Sequence, residues 1–77
     1  MIVELDPEAV VLEGLNDAII GATEEGLLIY SFTKLLDLLQ EDQGMRLEDA
    51  VEWFSYNIEP LRGQGAGFVV AYPFRMP

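Results

Sequence analysis

The chain lacks cysteine and histidine altogether and carries only four basic residues in 77. Without cysteine there is neither a disulfide framework nor a thiolate metal site. Without histidine the commonest metal ligand and the commonest acid–base side chain are gone. Long hydrophobic runs are also missing. The longest apolar stretches are of four or five residues, suited to strands and far short of the ~20 residues that span a bilayer. The opening residues Met1-Ile2-Val3-Glu4-Leu5-Asp6 have neither the basic segment nor the apolar core of a signal peptide. These absences argue against a stapled secreted scaffold and a helical membrane protein, and a cytoplasmic protein is the expectation.

What is present is apolar and acidic. Hydrophobic residues make up 51% of the chain, enough for a core without staples, and a chain this short supplies one domain, residues 1–77. Fourteen Asp and Glu against four Lys and Arg give a net charge of −10. A compact chain of this length has a radius of gyration of about 11–12 Å, comparable to the ~8 Å screening length in physiological salt. The charges therefore act as one field, which repels phosphate backbones and anionic lipid and speeds encounter with basic surfaces. Neither direct nucleic-acid binding nor membrane binding is expected. Solubility alone, or adaptation to high salt, is the competing explanation of the acidity.

Along the chain, residues 2–5 alternate apolar and polar and suggest a short edge strand. Asp6-Pro7-Glu8 has the marks of a helix start, with Gly14 as a stop, while the β-branched Val10-Val11-Leu12 favours a strand, so residues 7–14 remain open between the two. Ala18–Ala22 and Leu27–Tyr30, separated by Thr23-Glu24-Glu25-Gly26, form a β-hairpin, with Gly21 marking a bulge or a close backbone approach. Ser31 caps a helix from about Phe32 to Glu41, with Phe32, Leu35, Leu36 and Leu39 on one face and Gly44 ending it. A second helix runs from about Leu47 to Ile58 and is stopped by Pro60. Its buried stripe is Leu47, Ala50, Val51, Phe54 and Ile58. Gly63–Gly67 connects to a final strand, Phe68–Tyr72. The fold class is α+β: a small antiparallel sheet, hairpin plus C-terminal strand, with two helices packed on one face.

Catalytic chemistry is poorly supplied. Carboxylates abound, yet none is marked as half of an acid–base pair, and no enzyme activity is expected. Gly63, Gly65 and Gly67 precede a strand, whereas phosphate-binding loops precede a helix. Glu41-Asp42 and Glu48-Asp49 lack calcium-loop spacing, so no metal or cofactor is expected. The informative feature is the acidic helix pair. Glu48 and Glu52 stand four apart on one ridge, where like charges repel. Asp49 flanks them, Glu59 extends the row, and Asp37, Glu41 and Asp42 add charge from the preceding helix and turn. Such a ridge is either an ordinary solvated face or a binding surface. Trp53 and Tyr56, three apart on its flank, are either core or the apolar anchors that interfaces favour within a charged rim. Arg62 and Arg75 are candidates for local ion pairs or for a self-association surface.

Asp17-Ala18-Ile19-Ile20-Gly21, Ile29-Tyr30-Ser31, Asp42-Gln43-Gly44-Met45 and Glu48-Asp49-Ala50-Val51-Glu52-Trp53-Phe54-Ser55-Tyr56-Asn57 together resemble a group of small, mostly uncharacterised bacteriophage proteins. The resemblance runs from the hairpin to the end of the second helix. It departs at Arg46, where a capping Thr or Ser is expected, and does not include the glycine-rich connection or final strand. More loosely, the chain is similar to acidic phage anti-CRISPR and anti-restriction inhibitors, several of which mimic DNA. That likeness implies an inhibitor, acting in the host cytoplasm, that binds a basic nucleic-acid-binding surface of a host defence protein such as a CRISPR effector complex. Asp37, Glu41, Asp42, Glu48, Asp49, Glu52 and Glu59 would supply charge, with Trp53 and Tyr56 as anchors. The alternative is a phage accessory or regulatory domain that binds through its sheet edge or an apolar patch. The oligomeric state is open.

Overall fold

The computed structural model describes residues 1–77. The hairpin forms as its sequence indicates, from β1 (Ile19–Ala22) and β2 (Leu28–Ser31). Thr23 N–H donates to Leu27 O at 2.8 Å and Gly26 N–H to Thr23 O at 3.0 Å, and Gly26 takes φ 93°. This is a three-residue loop whose last residue must be left-handed. Ile19 pairs with Tyr30 and Gly21 with Ile29, leaving Ile20 as the extra residue of a bulge, beside the glycine that marked it.

Two helices follow. In α1 (Phe32–Gln43) the Ser31 side chain accepts the Lys34 N–H at 3.2 Å, and Gly44 closes the helix in the left-handed conformation with φ 66°. The helix runs two residues past the expected Glu41, up to the residue that Gly44 caps. The second helix, α2 (Leu47–Trp53), departs from expectation. It widens into a π turn over Phe54–Ile58, where Glu59 N–H reaches back to Phe54 O, and then tightens into a 3-10 turn over Glu59–Gly63. Pro60 therefore does not stop the helical path. In a regular α-helix its ring would press on the Tyr56 carbonyl; the wide turn followed by the narrow one passes the proline without that clash. The expected stripe is also narrower. Ala50, Phe54 and Ile58 are buried, but Leu47 and Val51 are exposed, because the small Ala50 turns its own side of α2 against α1.

The sheet is mixed, in the order β1-β2-β3, and β3 (Val69–Ala71) runs parallel to β2, not antiparallel as expected. Ile29 pairs with Val69, Tyr30 with Val70 and Ser31 with Ala71. A parallel pair needs a crossover connection, and α1, α2, the π and 3-10 turns and Gly63–Gly67 together make it, bringing the chain to the end where β2 starts. The α+β class stands.

The N-terminal residues form neither the edge strand nor the helix. Asp6 Oδ1 accepts the Glu8 N–H at 2.7 Å and Asp6 O the Ala9 N–H at 2.9 Å, a side-chain-closed turn around Pro7. The next amides find partners elsewhere in the fold. Val10 N–H donates to Gly67 O at 3.1 Å, Ala66 N–H to Glu8 O at 2.9 Å, and Ala9 bridges Gly67 in parallel register. Leu12 N–H ends on the buried Tyr30 hydroxyl at 2.8 Å. Residues 6–12 are thus a strap along the approach to β3. Beneath it, Leu12, Ala18, Leu28, Tyr30, Leu35, Phe54, Ile58, Phe68 and Val70 form the main core. Leu36, Leu39 and Ala50 form a second cluster between the helices. No helix is long and apolar enough to cross a membrane.

Candidate functional site

The inward set Ala50, Phe54 and Ile58 fixes what α2 turns outward. Trp53 precedes the π turn and falls on the flank of the buried face, 37% exposed, while Tyr56, inside the turn, is 73% exposed. Neither is simply core. Two concavities flank the indole. The more enclosed one, about 190 Å³, lies between the Glu13-Gly14-Leu15 turn, the last turn of α1 (Leu38, Leu39, Asp42, Gln43) and Trp53. The other, about 320 Å³ and more open, is lined by Met45, Asp49, Glu52, Trp53, Tyr56 and Asn57.

Each concavity therefore sets two carboxylates beside one aromatic wall: Glu13 and Asp42 on one side, Asp49 and Glu52 on the other. No basic residue lines either. Of the fourteen carboxylates only that of Glu59 is ion-paired, to Arg62 at 2.9 Å. Lys34, Arg46 and Arg75 pair with no acid. The last turn of α1 contains no basic residue either, so the negative end of its dipole adds to the field at the first concavity.

The structure gathers Asp42, Asp49, Glu52, Trp53 and Tyr56 around one centre. Glu48 is exposed one turn before Glu52 on the same ridge, outside the concavities. Asp37 and Glu41 are exposed on successive turns of α1 and line neither. Glu59 lies beyond the π turn and is neutralised by Arg62. The residues missed by sequence reasoning are Glu13, Leu15, Leu38 and Met45. Nothing in the local pattern around Glu13 marks it; it reaches the site because the 12–15 turn packs against α1. Met45 was legible as the residue after the helix-ending glycine.

Chemically, carboxylates beside an aromatic ring suit a cation. No group of three carboxylates converges as a metal-ligand set. Comparison with family models, with characterised proteins and with solved structures finds no match.

Proposed function

We propose that this protein is a stoichiometric inhibitor that sets the acidic face around Trp53 into a basic, nucleic-acid-binding groove of a partner protein and keeps nucleic acid out. The observation that carries the reading is the arrangement at Trp53: four unpaired carboxylates around a part-exposed indole, with no cation among the lining residues. Interfaces of this type place a few aromatic anchors inside a charged rim, and complementary charge speeds docking. Glu48, Asp37 and Glu41 extend the field beyond the contact. A phage-encoded inhibitor of a host defence protein, such as a CRISPR effector complex in the host cytoplasm, fits this chemistry and the sequence resemblance.

The second reading, binding through the sheet, is favoured by one observation. β1 is an edge strand with Ile20 bulged and 51% exposed. Immobilised wild type and the double variant Glu48→Lys/Glu52→Lys, challenged with host lysate at low and high salt, separate the two. Docking on a basic groove requires that captured proteins bind DNA, that added duplex DNA or high salt releases them, and that the variant loses them. Capture that survives charge reversal and is indifferent to DNA would overturn the inhibitor reading in favour of the sheet edge.

A further inference from the structure

We infer that the more enclosed concavity beside Trp53 is a receptor for a single arginine side chain of the partner, in preference to lysine. This deepens the inhibitor reading and rests on it for the source of the arginine. The cavity is about 190 Å³, the size of one long side chain, and its chemistry is split in the way a guanidinium requires. Leu15, Leu38 and Leu39 are apolar lining for the methylene stem, the Trp53 indole is an aromatic neighbour for the guanidinium, and Glu13 and Asp42 bring carboxylates from two separate segments. Those carboxylates are free of ion pairs. The uncompensated C-terminal end of α1 favours the same sign of charge. Charge complementarity thus commits the occupant to a cation, and the aromatic lining beside carboxylates from two segments commits it to one that can stack and fork together. Arginine stacks on aromatic faces and presents a fork to carboxylates, whereas a lysine ammonium stays a compact, strongly hydrated point charge. The second concavity is too open to make this distinction and serves as general attraction for neighbouring basic residues.

Trp53 is the only tryptophan in the chain and lines both concavities, so its emission reports on the two together, and the Glu13 and Asp42 variants assign a response to the first. The test titrates full-length protein with Ac-Gly-Arg-Gly-amide and, separately, Ac-Gly-Lys-Gly-amide, following Trp53 fluorescence and the indole N–H resonance. The arginine peptide is expected to give a saturable shift, at least about threefold tighter than the lysine peptide. Glu13→Gln and Asp42→Asn are each expected to weaken it about two- to fivefold, as for partly exposed ion pairs, with the far-UV dichroism unchanged. Equal responses to both peptides, a linear unsaturated drift, or indifference to both carboxamide variants overturns the arginine site. The outcome is separable from that for the inhibitor reading. Loss of partner capture on reversing Glu48 and Glu52, without an arginine preference, would leave the inhibitor standing and remove the receptor. Saturable arginine binding without capture of any DNA-binding protein would do the opposite.

Discussion

Single glycines carry much of the chain's close packing. Gly67 has φ 79°, and a Cβ built there meets the Arg62 carbonyl oxygen at 2.7 Å. Gly26 has φ 93°, and its Cβ would sit 2.6 Å from the Glu4 carbonyl oxygen. Both contacts are to backbone, which has no side-chain rotation to offer. Gly21, by contrast, has neither a positive φ nor any atom within 4 Å of the added carbon. Gly67→Ala is therefore expected to destabilise by about 2 kcal/mol or more, since a strained backbone and a displaced Arg62 carbonyl act together. Gly21→Ala should stay within about 0.5 kcal/mol of wild type. Urea unfolding midpoints check both. Similar losses at the two sites would mean that Gly67 is not held against the Arg62 carbonyl. Tyr30 shows the same dependence on tertiary partners: its ring packs edge-on to Phe68 at 5.7 Å while its hydroxyl accepts the Leu12 amide.

The two helices differ at the element scale in how they begin. Ser31 caps α1 with its side chain, but Arg46, in the extended conformation that a cap requires, makes no side-chain bond to α2. A guanidinium there also faces the positive end of the dipole. Arg46→Ser should accordingly stabilise the fold by about 0.5–1 kcal/mol, and Ser31→Ala should destabilise it by about 1 kcal/mol. Thermal melts of the two variants are expected to move in opposite directions; a neutral or destabilising Arg46→Ser would show that Arg46 is held by something other than the helix end. The π turn is the element that aims the site. Asn57 Nδ2 donates to the Trp53 carbonyl at 3.1 Å and Ser55 Oγ to the Val51 carbonyl at 3.1 Å, and such back-bonds accompany bent or widened helix turns. π turns also gather at functional sites, and here the turn contains Tyr56 and directly follows Trp53.

At the scale of the whole molecule, an extent of 36 × 32 × 20 Å and a radius of gyration of 12.9 Å exceed the ~11.5 Å of a compact chain of this length. The molecule is flattened, and both termini expose apolar side chains, Met1 and Ile2 at one end and Phe74 and Met76 at the other. With a net charge of −10 and one ion pair, the carboxylates repel one another more than they are relieved. Raising sodium chloride from about 20 to about 300 mM shortens the screening length severalfold. The melting temperature should rise by a few degrees as self-repulsion falls, measured by dichroism on the isolated protein. A fall would indicate that attractive pairs dominate.

The hairpin, the cap at Ser31, the stop at Gly44 and the α+β class were legible in the sequence, because each depends on neighbours a few residues apart whose chemistry acts locally. The acidic ridge with Trp53 and Tyr56 on its flank was legible for the same reason. The direction of β3, the fate of residues 7–14 and the passage of the helical path through Pro60 were not. The first two depend on which distant groups are free to accept a hydrogen bond: the Gly67 carbonyl for Val10, the Tyr30 hydroxyl for Leu12, and β2 for β3. The third depends on a widened turn in which Glu59 N–H reaches back to Phe54 O. The site divides in the same way. Local spacing put Asp49, Glu52, Trp53 and Tyr56 together on one helix, but only the packing of the 12–15 turn against the end of α1 brought Glu13 and Asp42 to the other side of the indole. An amide that could close a helix locally will bond instead to a distant carbonyl once the core has placed it within reach, and that choice belongs to the tertiary structure.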